Sequence, residues 1–469
     1  MEKWGATRDK ILHLLEEEGG SLEPDAIRRV SEATGVPEAD IYGTARFYDL
    51  IVRPGARVCQ GLTCQMMGSA DLHRELEVDG SKYHAASCLG QCDRAPVVVD
   101  AELQLISPAP RGGITPDDPE LAMNLAGAED LAYTALARAK AIGADAVIAE
   151  LKAAGLQGRG GAGFPAHFKW NAVKNEAAGP HYVVCNADEA EPGTFKDREI
   201  MLRRPHLLLE GLAIAATCVD AEDIYIYIRG EFPNERRAVE AAISDASDHL
   251  GDYTFHVVAG HGAYICGEET AMLESIEGKR GMPRLKPPYP TTHGLFGKPT
   301  LINNVETLAC VSAIVHRGGE WFHGLGRTEP GTKLYCISGH IGAPGVYELP
   351  LGVSLDELVA VAGGYVGTPY AFSPGGASSG FLPMSERERP LDFKGLMTAG
   401  SMLGSAGVVV LNDTVDIAKA ALWQAVFFED ESCGQCAPCR IGARVVKRAL
   451  DAYLEDGDPN TLKYIQNIT

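Results

Sequence analysis

Cysteine placement constrains this chain more than any other feature. Among twelve cysteines, three tight groups stand out: Cys59 with Cys64, Cys88 with Cys92, and Cys433, Cys436 and Cys439. Cys185, Cys218, Cys266, Cys310 and Cys336 lie singly in apolar or strand-like surroundings, as buried thiols do. A disulfide framework does not suit so long a chain, which opens Met1-Glu-Lys-Trp and runs into an amphipathic pattern with no secretory leader. Clustered thiolates in a reducing compartment mean metal. The first four cysteines, in two pairs, could hold zinc or an iron–sulfur cluster. Structural zinc sites usually leave two residues between paired ligands. Here four and three residues intervene, which suits a cluster. The run Cys433-Gly-Gln-Cys436-Ala-Pro-Cys439 has the spacing of a 4Fe–4S site.

At 469 residues the chain has room for about three domains. Its formal charge of −21 argues against nucleic acid or an anionic membrane as partner, and the expectation is a cytoplasmic enzyme without direct membrane contact. The most apolar run, Leu207 to Val219, is interrupted by Glu210 and is too short to cross a bilayer.

Residues 1–52 read as a small helical unit: Ile11, Leu14 and Leu15 recur at helical spacing, as do Ile27 and Val30. Residues 53–107 change period, with short strands at Arg57-Val-Cys59 and Pro96 to Asp100 and a helix between them. Residues 108–125, rich in proline and acid, read as a linker. From 126 to 330 strands and helices alternate, which predicts an α/β core with a largely parallel sheet. Residues 331–412 read as a small strand-rich domain and 413–469 as helical.

Between residues 126 and 330 lies Gly158-Arg-Gly-Gly-Ala-Gly-Phe164, followed by Lys169. Glycines this dense let a ligand approach the backbone, whose amides can face a phosphate. The literal G-x-G-x-x-G match is the wrong label, because a dinucleotide fingerprint follows a strand, whereas Ala144 to Ala154 has the composition and spacing of a helix. Three further loops fall near strand ends, where α/β sheets bind ligands: Cys185 to Thr194, Gly262 to Thr270, and Lys286 to Pro290 leading to Asn303-Asn304.

These motifs resemble the NADH-oxidising arm of respiratory complex I. Residues up to 107, with Tyr42-Gly-Thr-Ala-Arg-Phe-Tyr48 and all four cysteines, resemble its thioredoxin-like 2Fe–2S subunit; residues 126–469 resemble its flavin subunit. The resemblance implies a multidomain α/β protein: a helical unit, a thioredoxin-like 2Fe–2S domain, a Rossmann-like FMN domain, a ubiquitin-like (β-grasp) domain and a helical 4Fe–4S domain. It implies Cys59, Cys64, Cys88 and Cys92 as 2Fe–2S ligands. Cys433, Cys436 and Cys439 would hold the 4Fe–4S cluster, with the fourth ligand beyond the residues given. FMN would be held by Gly158, Arg159, Gly160, Gly161, Lys169, Asn186, Asp188, Glu189, Tyr264, Gly267, Glu268, Asn303 and Asn304. NAD would meet Phe164, Glu191, Glu269, Lys286 and Tyr289. Two positions depart from the family: Tyr289 stands where phenylalanine is frequent, and Ala172 where an aromatic is common.

The implied activity is that of a diaphorase, exchanging hydride between NAD(H) and FMN and electrons between FMN and iron–sulfur clusters; no side chain is expected to act as acid or base in that step. Fusion of the two halves resembles the β subunit of NAD-dependent molybdenum or tungsten formate dehydrogenase, or the diaphorase of NAD-reducing hydrogenase. Gln435 leans toward the former. Either implies a catalytic partner subunit with its own clusters. A fused complex I subunit and a non-catalytic scaffold are the alternatives.

Overall fold

The computed structural model describes residues 10–20, 22–78, 82–106 and 112–467. Its centre is a four-stranded sheet in the order Thr254–Ala259, Ala221–Ile228, His181–Ala187 and Thr300–Asn304, parallel throughout. Strands buried on both faces read as continuous apolar runs, and here the period of two assigns them. Val183, Cys185, Ile224, Ile226 and Ile228 face one core with helices Pro205–Val219 and Val305–Arg317. Val184, Tyr227 and Ile302 face the other.

That second face is covered by the N-terminal helical unit. Ile11, Leu15, Ile27, Val30, Ile41 and Tyr48, on helices Lys10–Glu17, Pro24–Thr34 and Glu38–Ala45 and the turn after them, pack there with Met272 and Leu273. The Tyr48 hydroxyl is within hydrogen-bond distance of both Ser275 Oγ (2.9 Å) and the Lys279 carbonyl (2.7 Å). The N-terminal helical unit therefore completes the core of the central α/β domain rather than that of the cysteine-bearing module that follows it in sequence.

A three-stranded sheet carries the first cysteines. Arg57–Cys59 lies between His84–Ala86, parallel to it, and Val98–Val99, antiparallel. A six-stranded mixed sheet runs Leu382–Pro383, Pro369–Ser373, Gly407–Asn412, Thr332–Gly339, Gly345–Pro350 and Gly113–Ile114. The last strand corrects the linker reading of 108–125. Gly113–Ile114 pairs in parallel with Gly345 and Val346, and Ala122, Met123 and Leu125 are buried. The Glu348 carboxylate accepts the amides of Ala122, Met123 and Asn124. Proline and acid signalled turns; they carried no information about what the turns pack against. Of this stretch, residues 108–111 lie outside the described residues.

Toward the C-terminus helices Ile417–Asp430 and Ala437–Asp456 pack on each other, followed by a 3-10 helix over Pro459–Asn467; Cys433 and Cys436 lie between the first two, and Cys439 in the first turn of the second. Among the described residues no helix is long and apolar enough to cross a membrane.

Candidate functional site

The carboxyl ends of the central strands open onto a cavity of about 790 Å3. Such a crevice is where parallel sheets present loops and helix N-termini to ligands. Helix Ala144–Ala153 leads into the glycine loop, which closes through the Gly158 amide and the Phe164 carbonyl (2.8 Å). It then enters helix Ala166–Lys174, which carries Lys169. A Cβ on Gly160 would come within 3.0 Å of Asn304 Cβ, so the loop passes too close to the strand end for a side chain.

Two lining residues are fixed by capping helices. Glu268 Oε2 accepts the amides of Thr270 and Ala271, both at 2.9 Å, ahead of helix Glu269–Ile276. Asn304 Oδ1 accepts from Glu306 at 3.0 Å, ahead of Val305–Arg317. Caps satisfy amides that have no partner within the helix, so each side chain is held in place beside the cavity.

The wall brings together Gly158, Gly160, Gly161, Lys169, Asn186, Gly267, Glu268, Asn303 and Asn304, and beside them Phe164, Glu269, Lys286 and Tyr289. Residues outside the sequence reading join them: Phe168, Thr291, Thr300, Ile302 and Thr307. Phe168 is 59% exposed, beside Phe164 at 51% and Tyr289 at 56%. Three solvent-facing rings at one mouth offer flat surfaces to a planar ligand. Phe168 stands four residues before Ala172 on the same helix, a helical neighbour whose aromatic character was the available signal.

Charge at the mouth is paired. Lys169 Nζ lies 2.9 Å from Glu269, and Lys286 Nζ lies 2.8 Å from Glu268 and 2.9 Å from Glu269. Burial pushes the Glu269 carboxyl up, but Lys169 and Lys286 outweigh it and hold it below its usual range. At the floor, Trp170 Nε1 donates to Asn303 Oδ1 (3.0 Å) and Asn186 Nδ2 to the Gly267 carbonyl (2.8 Å). Asn304 Nδ2 donates to Asp197 (2.6 Å), which pairs with Lys196 (2.7 Å); Lys196 and Lys333 both meet Glu306. Burial pushes the Lys333 ammonium down to about 8. The cavity therefore combines loop amides, carboxamides and an ammonium with a glycine loop too tight for side chains, and this donor set fits a flavin mononucleotide.

Five residues of the sequence reading lie elsewhere. Arg159 is buried against the Phe322 ring and donates to the Pro330 carbonyl (3.2 Å). Glu189 caps helix Lys196–Arg203, accepting the amides of Asp197 (2.9 Å) and Arg198 (3.0 Å). Glu191 accepts from the Tyr264 hydroxyl (2.6 Å) and the Ser378 amide (2.7 Å). Asp188 and Tyr264 border a second cavity of about 770 Å3, shared with Ser87, Cys88, Glu431 and Cys433. That cavity stands where the 2Fe–2S, flavin and C-terminal modules meet.

Cys59, Cys64, Cys88 and Cys92 are all buried. Their thiols act on one another, Cys59 with Cys64 and Cys88, and Cys88 with Cys92. The neighbouring Cys59 and Cys92 thiols, together with Arg229, hold Cys88 well below the usual thiol range. Among the described residues no three His, Cys, Asp or Glu side chains converge as ligands of one metal ion. Four neighbouring thiols in a sealed pocket fit a larger centre such as a 2Fe–2S cluster. At the other end Cys433 is half-buried, while Cys436 and Cys439 are exposed. Cys436 immediately precedes helix Ala437–Asp456, whose positive end favours the anionic thiolates of a cluster.

Four family models match the chain: the Nuo51 FMN-binding domain over residues 151–313, the thioredoxin-like [2Fe-2S] ferredoxin over 9–104, the SLBB domain over 334–382, and the NADH-ubiquinone oxidoreductase-F iron-sulfur binding region over 419–469. One of the NADH-quinone oxidoreductase F proteins of Rhizobium meliloti is 50% identical over 342 residues, covering 68% of this chain and 80% of that protein. The corresponding NADH-quinone oxidoreductase F protein of Rickettsia felis is 48% identical, covering 66% and 76%. The structure of an air-oxidised NAD+-reducing [NiFe]-hydrogenase aligns with a TM-score of 0.90 at 31% identity, over 100% of this chain and 88% of that one.

Proposed function

The chain belongs to the family of FMN-binding NADH dehydrogenase subunits, here joined in one polypeptide to a thioredoxin-like 2Fe–2S module and a 4Fe–4S region, and on that premise we propose that it is the NAD-facing diaphorase of a formate-oxidising complex. It is an NADH dehydrogenase component of a multisubunit oxidoreductase, with FMN and both cluster types as cofactors. The observation that carries the diaphorase reading is a cavity walled by the glycine loop together with a second cavity bordered by Cys88 and Cys433.

FMN supplies the conversion between a two-electron hydride and single electrons; the protein positions and insulates. The amides of Gly160 and Gly161 and the ammonium of Lys169 would hold the phosphate end, the Gly158 and Arg159 amides being used by the Phe164 carbonyl and the Thr307 hydroxyl. Asn186, Asn303 and Asn304 give carboxamides to the polyol and ring. Phe164, Phe168 and Tyr289 offer faces for the nucleotide base, and Glu269 accepts from ribose hydroxyls. Asp188, Glu189, Glu191 and Tyr264 act from behind, shaping the loops between the flavin and the clusters, while Arg159 anchors the glycine loop through Thr307 and Pro330. No side chain gives or takes a proton in the hydride step.

Formate as donor is supported by Gln435 within Cys433-Gly-Gln-Cys436. Whole-chain likeness to a hydrogenase diaphorase favours hydrogen instead. Both readings place the protein in the cytoplasm with a cluster-bearing catalytic subunit as partner. The native complex, purified anaerobically, should reduce NAD with formate; reduction by hydrogen alone would overturn the formate reading. A reconstituted chain that stays colourless and fails to reduce ferricyanide with NADH would leave only a scaffold.

A further inference from the structure

The loop Cys88 to Asp93 is gripped from outside its own module by two buried arginines. Arg198 donates to the Gly90 carbonyl (3.0 Å), to Gln91 Oε1 (2.7 Å) and, through two nitrogens, to both oxygens of Asp93 (2.9 Å each). Arg229, just past strand Ala221–Ile228, donates to the Cys88 carbonyl (2.8 Å) and the Glu189 carbonyl (2.7 Å). The backbone of Gly90 turns at φ +63°, and a Cβ there would meet the Phe232 ring at 2.7 Å and Arg229 at 2.9 Å. The loop can close on Arg229 only because it is bare.

The two guanidinium charges are not equivalent. Arg198 faces two carboxylates, Asp93 and Glu199, each at 2.9 Å, which it shares with Arg94 and Arg203. Among the described residues Arg229 has one ion-pair partner, Glu231 at 3.1 Å. The Asp188 carboxyl also lies close enough to act on it, but burial pushes that acid up and weakens it as a counter-charge. A cation in a low-dielectric setting acts strongly on a neighbouring charge change. One-electron reduction of an iron–sulfur cluster is such a change, adding one negative charge, and its potential follows net charge, hydrogen bonding and exposure.

We propose that Arg229, a residue of the flavin domain, sets the reduction potential of the 2Fe–2S centre across the module interface, with Glu231 as its opposing charge. Arg229 acts through Cys88 and is a positioning and electrostatic residue. The same guanidinium holds the carbonyl of Glu189, so the loop that follows strand His181–Ala187 and the cluster loop share one anchor. The inference rests on the reading that Cys59, Cys64, Cys88 and Cys92 ligate the cluster.

The test uses the full chain, reconstituted anaerobically, with iron and sulfide analysis and a potentiometric titration followed by electron paramagnetic resonance. Arg229→Gln should lower the 2Fe–2S midpoint potential, Arg229→Lys should lower it less, and Glu231→Gln should raise it. Opposite signs at two neighbouring positions are what a purely structural role does not produce. Cluster-loaded variants with unshifted potentials, or shifts of one sign, would overturn the proposal. If Arg229→Gln fails to load a cluster, Arg229→Lys and Glu231→Gln still decide the sign. A wild-type chain with no 2Fe–2S resonance would overturn the ligand assignment itself, a result distinguishable from an unshifted potential.

Discussion

Glu269 sits between the ammonium groups of Lys169 and Lys286, which keep its carboxyl ionised. An ionised carboxylate that accepts from ribose hydroxyls repels a 2′-phosphate. Glu269→Gln should therefore raise the NADPH/NADH ratio of kcat/KM by about tenfold, roughly 1.4 kcal/mol. An unchanged ratio in steady-state assays would show that Glu269 does not meet the ribose. Glu189 shows where reading residues from sequence stops. Its place after an apolar strand marked it as a ligand-facing acid, but its two oxygens are used by helix amides. Sequence locates an acidic loop at a strand end; which carboxylates the backbone consumes is decided by three-dimensional packing.

Helix Pro205–Val219 carries a single acid, Glu210, which is buried and accepts the Leu136 amide at 2.9 Å. Burial pushes its carboxyl from 4.5 up to about 7. The folded value lies above the unfolded one, so the folded chain keeps a proton that the unfolded chain releases. Stability contributed by this group is whole below pH 4.5, falls between pH 4.5 and about 7, and is level above. Glu210→Gln keeps the acceptor and removes the titration. Its stability should match the wild type near pH 4.5 and exceed it by about 3 kcal/mol at pH 8, read from denaturant midpoints. A constant difference across pH would mean that Glu210 ionises as in water. At this scale the sequence was legible: the alternation of the core strands and helices, the helix before the glycine loop and the paired C-terminal helices all appear in the fold. The identity of the cover on the second sheet face was not. Runs such as Ile224-Tyr-Ile-Tyr-Ile228 announce burial on both sides without naming the partner.

Across the whole molecule, one carboxylate ties three modules. Glu431, two residues before Cys433, accepts from the Ser87 hydroxyl beside Cys88 and from the Tyr264 amide (3.0 Å). Ser87→Ala or Glu431→Ala should speed amide hydrogen exchange in helix Ala437–Asp456 several-fold, as loss of a buried hydrogen bond of about 1 kcal/mol implies. Glu431→Gln should stay near wild type, because its amide oxygen can accept from Tyr264 while its nitrogen donates to Ser87. Equal acceleration in all three would show that the contact does not steady the C-terminal module.

The short strand Gly113–Ile114 has a bearing on how the protein can be divided. A flavin piece begun at residue 126, where composition places the border, would lose the outer strand of the six-stranded sheet and the three amides held by Glu348. Gly345–Pro350 would then become an open edge, ready to pair with another copy. A piece begun at Gly112 keeps its border strand. Both pieces lose the N-terminal helices that cover the second face of the central sheet, so the shorter, with the added open edge, should elute from a sizing column as larger species than the longer, and the scissors belong before Gly112.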